Sequence, residues 1–336
     1  MKNKIICFGE IMLRLSPPNH QKIEQADTFN ATYGGAEANV AVSLAHFDQS
    51  VSFVSRIPEN QLGDTAIAQL RKHGVDTKNI VRGGERLGSY FLEIGVMHRT
   101  SQVVYDRAYS GFATLKENTI DWIKVFEGAE WLHWSGISPA VSATAAKVCF
   151  EALSAAKKKG LTVSCDLNYR SKLWKYGKGP KEIMPQLIEL TDIVLGGKED
   201  ARIMLGVEFE ENDGYDSAPR RIKEHFPHLK MVATSLRKSY SASHNNISGV
   251  LFDGIEEFRS TAYDMPFMID RVGGGDAYMA GLIYGFINYT DDPQKIIDFA
   301  AAASCLKHTI HGDASLTKVS EVEGIMGGKD AGLVSR

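Results

Sequence analysis

Short apolar segments alternate with longer amphipathic segments along most of this 336-residue chain. The short segments have the length of buried strands, and the longer ones repeat their apolar residues at helical spacing. Because parallel strands need helical crossovers, this order predicts an α/β fold with a mostly parallel central sheet and helices on both faces. The segments predicted as strands are residues 5–8, 51–54, 131–134, 161–166, 192–195 and 230–234.

Three of the predicted helices have recognisable ends. Asp64 is the predicted N-cap of a helix that stops at Gly74, and Ser142 starts another that ends on a lysine run before Gly160. Pro293 opens a late helix, where its missing N–H is not needed. These ends support the alternation of strands and helices independently of the apolar spacing.

Two β-like segments with no helix between them interrupt the alternation in the first third of the chain. Together with the polar stretch before Tyr33, they predict a small sheet that projects from the core as a lid, formed by residues of about 13–33 and 88–108. No Pro/Ser-rich linker, low-complexity tract or repeat divides the sequence. We therefore predict a single domain over residues 1–336, with a tail from Gly327 that frays.

The charge balance and the cysteine pattern exclude several classes of protein. Lys and Arg number 38 and Asp and Glu 41, so the net charge of −3 gives no electrostatic basis for binding nucleic acid or an anionic membrane. The 4 cysteines are far apart and form no C-x-x-C pair, which argues against a zinc module or a disulfide framework. No segment approaches the ~20 apolar residues of a membrane helix. We expect a cytoplasmic protein.

Common nucleotide-binding and metal-binding motifs are missing from the sequence. It contains no G-x-x-x-x-G-K-[ST] phosphate loop, no G-x-G-x-x-G after the first strand and no H-E-x-x-H zinc helix. The pairs His225/His228 and His308/His311 have a spacing that a metal site could use, but a metal site needs several convergent ligands. Surface positions are the favoured interpretation of both pairs.

The most informative stretch is a run of three glycines, Gly273, Gly274 and Gly275, directly before Asp276 and a predicted helix. Glycines at a helix start leave backbone N–H groups free, and the helix dipole adds positive potential, so the geometry suits a phosphate. A carboxylate in the same turn would repel phosphate unless it takes a proton from an attacking hydroxyl. The alternative is that Asp276 only caps the helix after a flexible loop.

The segment 270–276 resembles the D-T-x-G-A-G-D signature of ribokinase-like carbohydrate kinases, the PfkB group. Arg271 stands in the place of the usual Thr and Gly274 in the place of the usual Ala. The resemblance implies that the three glycines form the anion hole for the transferring phosphoryl group. It also implies that Asp276 is the catalytic base.

A second signature of the same family lies near the N-terminus. Residues 34–41 resemble its G-G-x-x-x-N-x-A motif, which implies that Gly34, Gly35 and Asn39 contact the sugar. Taken alone, the motif could equally be a glycine turn that opens an Ala-rich core helix. Two signatures in the correct order are more specific than either alone, and they imply a ribokinase-like fold with a small β lid over nearly the whole chain.

A third, weaker signature concerns the metal. The family's N-x-x-E motif organises magnesium through water, and here Glu199 matches while Gly196 replaces the Asn. Because Mg²⁺ keeps several waters, the loss of one contact need not abolish binding. The resemblance therefore implies ATP and Mg²⁺ as cofactors. The alternative for Glu199 is an acidic residue favoured by a helix N-terminus.

The pattern D-x-N-x-R-x-x-L-W of residues 166–174 resembles that of family members that act on 2-keto-3-deoxygluconate. A guanidinium offers two parallel donors to a carboxylate, so Arg107 and Arg170 are predicted to clamp a sugar acid. Tyr90 and Tyr105, at matching positions, add hydroxyl contacts and a ring face. The resemblance implies ATP-dependent phosphorylation of the terminal hydroxyl, which gives 2-keto-3-deoxy-6-phosphogluconate.

Other functions stay open from the sequence. Kinases of neutral sugars in this family commonly carry an acidic residue shortly after the first strand, and Arg14 is assigned to that place here. A fructokinase or another ketose kinase is the alternative within the family, and a non-catalytic sugar-binding relative is the alternative outside it. The missing dinucleotide fingerprint disfavours a dehydrogenase. The edge strands of the predicted lid leave backbone N–H and C=O groups that can pair with another chain. We therefore expect a homo-oligomer formed through the lid.

Overall fold

The computed structural model describes residues 4–328, and a nine-stranded sheet runs through them. The strands within the described residues are β1 Lys4–Phe8, β2 Met12–Ser16, β3 Asn30–Gly34, β4 Ser50–Val54, β5 Arg56–Ile57, β6 Val81–Arg82, β7 Ser89–Glu93, β8 Gln102–Asp106, β9 Ala129–Ser135, β10 Thr162–Asp166, β11 Ile193–Leu195, β12 Met231–Ser239, β13 Asn245–Phe252, β14 Glu257–Arg259 and β15 Tyr263–Met265. In the order β4-β1-β9-β10-β11-β12 all neighbouring strands of the large sheet are parallel, and β13, β14 and β15 extend it with antiparallel pairs.

Helices cover both faces of this sheet, as the alternation predicts. Successive residues of β1 point to opposite faces, so that Ile5 and Cys7 lie in one apolar core and Ile6 and Phe8 in the other. The helices are α1 Ala36–His46, α2 Gln61–Lys72, α3 Trp122–Val125, α4 Ile137–Val141, α5 Ala143–Lys159, α6 Pro180–Ile188, α7 Lys198–Asp200, α8 Ala218–His225, α9 Gly274–Asn288, α10 Pro293–Lys307 and α11 Val319–Met326.

A second, four-stranded sheet has the order β3-β2-β7-β8. Strands β2 and β3 are antiparallel, as are β7 and β8, while β2 and β7 are parallel. The β segments that interrupt the alternation in the sequence thus form a small sheet of their own. Strands β3 and β8 are its edges.

The predicted ends of two helices are confirmed and one is wrong. Ser142 Oγ accepts a hydrogen bond from Ala145 N at 3.1 Å, and the helix that starts with Pro293 ends at Lys307. Asp64, in contrast, lies inside α2, which is capped by Asn60. An N-cap needs extended backbone, and Asn60 has it, with φ −150° and ψ 174°.

The antiparallel part of the large sheet goes beyond the sequence prediction. Strand β12 continues past residue 234, because its second half also pairs with β13. The two strands form an antiparallel hairpin. Between residues 4 and 328 no helix is both long and apolar enough to span a bilayer. The sequence predicts a frayed tail from Gly327. Beyond residue 328 this tail lies outside the described residues.

Candidate active site

A cavity of about 600 Å³ lies between the large sheet, the small sheet and the N-terminus of α9. Asp166 and Leu195, which end β10 and β11, lie in its lining, as do Met12 and Leu92 of the small sheet. Ligand sites in α/β folds form outside the carboxyl ends of parallel strands, and this cavity has the size of a small-molecule site. The small sheet therefore forms one wall of a ligand cavity.

Most of the residues predicted from sequence line this cavity. They are Gly35, Asn39, Tyr90, Tyr105, Arg107, Arg170, Gly273, Gly274, Gly275 and Asp276. Gly34 and Glu199 are outside the lining. A Cβ on Gly34 would collide with the side chain of Asp313, so glycine is needed at the end of β3 for its close approach to Asp313.

The base predicted at Asp276 is held by α1. Asn39 Nδ2 donates to Asp276 Oδ2 at 2.7 Å, and Asn39 Oδ1 accepts from Gly35 N at 3.3 Å. The side-chain amide of Asn39, which the sequence predicts to bind the sugar, thus uses one of its N–H groups to bind Asp276. Burial raises the pKa of Asp276 to about 6, although the Asn39 hydrogen bond and the positive charge of Arg170 act in the opposite direction. A carboxylate with this pKa is ionised at neutral pH and can still accept a proton.

The three glycines before Asp276 have different surroundings. Gly273 is the N-cap of α9 with φ +82°, and a Cβ there would overlap the carbonyl oxygen of Asp313. A Cβ on Gly274 would lie within 2.7 Å of His308 Nε2. Around Gly275, the nearest atom to such a Cβ is Arg237 Nη2 at 3.9 Å. The first two glycines are therefore required by packing.

The ring of His308 occupies the space that an alanine at position 274, as in the family signature, would need. The surface position favoured for this histidine is wrong: its side chain is buried against the start of α9, and Nδ1 lies 2.6 Å from Ser304 O. Burial lowers its pKa to about 4, so the ring is neutral at pH 7. His311, in contrast, is exposed.

Gly274→Ala should lower the free energy of unfolding by about 1–3 kcal/mol, because the added methyl group must displace the His308 ring. Gly275→Ala, which adds the same methyl group where the nearest atom lies at an ordinary contact distance of 3.9 Å, is the matched control and should cost less. Urea denaturation of both variants measures the difference. Adding His308→Ala to Gly274→Ala should recover part of the loss, and equal losses for the two single variants would contradict the steric explanation.

Arg107 is already paired inside the protein. Its Nε donates to Glu10 Oε2 at 2.9 Å and its Nη2 binds the same oxygen, while Ser110 Oγ donates to the other oxygen of Glu10. The acidic residue near the end of the first strand is therefore Glu10, which lines the cavity. The assignment of Arg14 to that place is wrong, because Arg14 is buried and does not line the cavity.

Arg170 is exposed and largely free. Its Nη1 donates to Tyr169 O at 2.9 Å, and no ion pair engages the guanidinium within the part of the chain that the structure describes. Since Arg170 lines the cavity, the remaining donors are available to a ligand. Of the two arginines predicted as a clamp, Arg170 is the one without an ion pair among the described residues, although its charge acts on the nearby carboxyl groups of Asp166, Asp200 and Asp276.

Tyr90 and Tyr105 are cross-strand neighbours on β7 and β8, with ring centroids 6.1 Å apart. The guanidinium of Arg107 lies over the Tyr105 ring at 5.7 Å. The hydroxyl of Tyr90 donates to Asp313 Oδ2, and burial raises its pKa well above the usual value. The two rings thus form an apolar and hydroxyl-bearing surface on the small sheet.

Buried carboxyl groups are concentrated just beyond the ends of β10 and β11. Burial raises the pKa of Asp166 to about 8, and the nearby charges of Asp276 and Asp200 add to the increase. Glu199, in contrast, is exposed and binds Arg202 at 2.9 Å. Among residues 4–328 no group of three or more His, Cys, Asp or Glu side chains lies close enough together to hold a metal ion.

These carboxylates fit a Mg²⁺ ion that takes most of its ligands from phosphate and water. Burial is the main cause that raises the pKa of Asp166 and of Asp200, and a cation close to them would favour their ionised forms. Asp200 also accepts hydrogen bonds from Gly197 N and Tyr169 N, both at 3.1 Å, so its carboxylate is fixed in place. Asp166 and Asp200 are therefore the residues that would hold the ion through water.

Two further arginines lie at the cavity without having been assigned a role from the sequence. Arg237 on β12 and Arg271 in the glycine segment line the cavity, and neither guanidinium has a hydrogen bond or ion pair to the residues that the structure describes. Such unpaired cations near a helix N-terminus suit phosphate oxygens. Arg271 could have been found from the sequence, because it departs from the family signature. No motif in the sequence points to Arg237.

The comparison with known proteins agrees with this geometry. Residues 2–319 match the model of the pfkB family carbohydrate kinases. A 2-dehydro-3-deoxygalactonokinase of Haloferax volcanii is 31% identical over 99% of each chain. A solved 2-dehydro-3-deoxygluconokinase of Thermotoga maritima is 44% identical, with a TM-score of 0.91 over 97% of this chain and 99% of that one. An Escherichia coli structure in complex with ATP and Mg²⁺ shares the fold, with 18% identity and a TM-score of 0.79 over 97% and 99% of the two chains.

The fold and the cavity thus define a ribokinase-like phosphotransferase. The family match spans both sheets and the glycine segment. The chain belongs to the pfkB family of carbohydrate kinases. The family and the fold class predicted from the two sequence signatures are confirmed.

Proposed function

We propose that this protein is an ATP- and Mg²⁺-dependent kinase that phosphorylates the terminal hydroxyl of 2-keto-3-deoxygluconate, also called 2-dehydro-3-deoxygluconate. The product is 2-keto-3-deoxy-6-phosphogluconate. In this proposal Asp276 takes the proton of that hydroxyl, and the N–H groups of Gly273 to Gly275 stabilise the transferring phosphoryl group.

One observation carries the sugar-acid assignment. The unpaired guanidinium of Arg170 and the carboxylate of Asp276 line the same cavity. The two groups are close enough for the charge of Arg170 to lower the pKa of Asp276, yet no hydrogen bond joins them. A substrate with a carboxylate at one end and a hydroxyl at the other can use both groups, whereas a neutral sugar uses only the second.

The named relatives support the same substrate class. The Thermotoga maritima and Haloferax volcanii proteins are named for 2-dehydro-3-deoxygluconate and 2-dehydro-3-deoxygalactonate, which differ in the configuration of one hydroxyl-bearing carbon. Both substrates have a carboxylate for Arg170 and a terminal hydroxyl for Asp276. The galactonate epimer is therefore the second candidate substrate.

An ADP-release assay with ATP and Mg²⁺ tests the proposal. The panel contains both sugar-acid epimers, gluconate as an acid without the keto group, and fructose as a neutral ketose. We expect the highest kcat/KM for one of the two 2-keto-3-deoxy acids. A preference for fructose would overturn the sugar-acid assignment and leave the kinase assignment intact, and no ADP release with any compound would overturn both.

The small sheet is proposed as a lid that excludes water from the phosphoryl donor within a single domain spanning residues 1–336. Its strand β8 is connected to the segment that follows β10 by Lys172 Nζ, which donates to Val103 O at 2.6 Å. A closed lid prevents transfer of the phosphoryl group to water.

We expect a homodimer or larger homo-oligomer formed through the edges of the small sheet, because β3 and β8 each leave one side of the strand unpaired. Val104 on β8 is 54% exposed, which leaves apolar surface at this edge. Light scattering at micromolar concentration measures the mass. A monomer mass at that concentration would contradict the expectation.

A further inference from the structure

A buried ion-pair network connects the small sheet to the start of α9. Arg14 on β2 donates from Nη2 to Asp270 Oδ2 at 2.6 Å and from Nη1 to Asp313 Oδ1. Its Nε donates to Ser16 Oγ at 2.9 Å. The three charged side chains are at most 3% exposed. A planar guanidinium can donate to two separate carboxylates from its two Nη atoms, an arrangement called a fork. The ammonium group of a lysine cannot reproduce this geometry.

Both aspartates of the network contact the glycine segment, Asp270 with its carboxylate and Asp313 with its backbone. Asp270 Oδ1 accepts a hydrogen bond from Val272 N at 3.1 Å, one residue before Gly273. On the other side, the backbone oxygen of Asp313 packs where a Cβ of Gly273 would lie. The conformation of the proposed anion hole therefore depends on where these two aspartates are held.

The same network reaches the substrate side of the cavity. Asp313 lines the cavity, and its second carboxylate oxygen accepts the hydroxyl hydrogen of Tyr90. Lys307 Nζ donates to the backbone oxygen of Asp270 at 3.2 Å and adds a second positive charge next to the two carboxylates. Arg14 itself and Asp270 do not line the cavity, so neither is positioned to touch the reactants.

We infer that Arg14 is a positioning residue for phosphoryl transfer: through Asp270 and Asp313 it holds the glycine segment at the distance from the small sheet that the reaction needs. This inference rests on the proposed kinase function. It assigns Arg14 no bond to substrate or nucleotide and no proton transfer. It also explains why a residue at the centre of the small sheet carries a buried charge at all, since a buried ion pair is weak evidence for a purely stabilising role.

The inference predicts an effect on turnover more than on binding. A donor displaced by about 1 Å can cost about 10²-fold in rate even when the substitution is remote from the chemistry. Sugar-acid binding is assigned to Arg170, which has no hydrogen bond or ion pair with Arg14, Asp270 or Asp313, and should be preserved. Removing the fork should therefore lower kcat and leave the KM for the sugar acid nearly unchanged.

Arg14→Lys is the primary test, because it keeps the charge and removes the fork. We expect kcat to fall by about 10²-fold with the KM for the sugar acid within about threefold of the unsubstituted protein. Arg86→Lys is the matched control. Arg86 donates to both carboxylate oxygens of Asp106 on the exposed side of the small sheet, outside the cavity, so this variant should keep both constants.

A second variant, Arg14→Ala, provides a rescue experiment. Millimolar guanidinium ion should raise its kcat in a saturable manner by occupying the space between Asp270 and Asp313, and should not change the kcat of Arg86→Ala. A folded Arg14→Ala protein that guanidinium does not rescue would contradict the inference. If Arg14→Ala does not fold, Arg14→Lys alone decides.

The failure of this inference is distinguishable from the failure of the proposed function. A folded Arg14→Lys variant with unchanged kcat in an otherwise active kinase would overturn the positioning role only. An activity loss that matches the loss of folded protein would also overturn it, because Arg14 would then be structural. Absence of phosphoryl transfer by the unsubstituted protein would overturn the proposed function itself.

Discussion

Asp276→Asn should lower kcat by about 10²–10⁴-fold and leave the KM for the sugar acid roughly intact, because the amide cannot accept the proton of the substrate hydroxyl. The substitution is nearly isosteric and removes a charge that burial disfavours, so the variant should fold. Steady-state kinetics with the sugar acid and ATP provide the measurement. Near-normal turnover in a folded variant would remove Asp276 from the catalytic role.

Asp64→Asn is a suitable control for this substitution. Asp64 is an exposed carboxylate that pairs with Arg82 at 2.7 Å and does not line the cavity. Its replacement removes the same charge from the chain and should change neither kcat nor KM. A similar loss of activity in both variants would point to an unspecific effect of charge.

The pH dependence gives an independent check on the same base. Burial raises the pKa of Asp276 to about 6, and the base acts only when it is ionised. Activity should therefore be low at pH 5, where the carboxyl group is protonated, and should rise through about pH 6 to a plateau. Asn39→Ala removes the hydrogen bond that lowers this pKa, so the acid limb should move to higher pH.

Arg170→Leu should raise the KM for 2-keto-3-deoxygluconate by about 10- to 150-fold, the equivalent of one charge-assisted contact of about 1.5–3 kcal/mol. The KM for fructose should change little, because a neutral ketose binds without the carboxylate contact. The preference for the acid over the neutral sugar should therefore shrink. Equal effects on both substrates would assign Arg170 a structural or phosphate-directed role.

Arg202→Leu is the matched control for Arg170. Arg202 is exposed and binds Glu199 outside the cavity, so its loss should leave both KM values unchanged. Arg107→Leu is not an equivalent test of the clamp. It would leave the buried carboxylate of Glu10 without its partner, so its effect would combine substrate binding with the stability of that part of the cavity.

The location of the site follows from local sequence. The glycine run before Asp276 and the motif around Asn39 each occupy consecutive positions, and a short helix start determines their backbone geometry. The strand–helix alternation likewise predicts a parallel sheet, whose strand ends converge on one edge. These features depend on neighbours a few residues away, which is why the sequence alone was sufficient for them.

Partners of buried charges, in contrast, depend on packing between distant segments. Arg14 meets Asp270 and Asp313, which lie 256 and 299 positions further along the chain. Nothing in the residues around Arg14 distinguishes a buried bridge from a side chain that faces the substrate. The same holds for Glu10, which pairs with Arg107 only because the small sheet lies next to the end of β1.

The sequence by itself determined the fold class, the family and the position of the proposed base, because all three depend on residue type at fixed short spacings. Only the tertiary structure decided which charges are available to a ligand. It engages Arg107 with Glu10 and Arg14 with two aspartates, whereas Arg170, Arg237 and Arg271 at the cavity have no ion pair with any residue from 4 to 328. The physical reason is that a charge inside a protein is neutralised by whichever opposite charge the packed sheets and loops bring within hydrogen-bonding distance, and for partners 256 and 299 positions apart this distance cannot be read from local residue spacing.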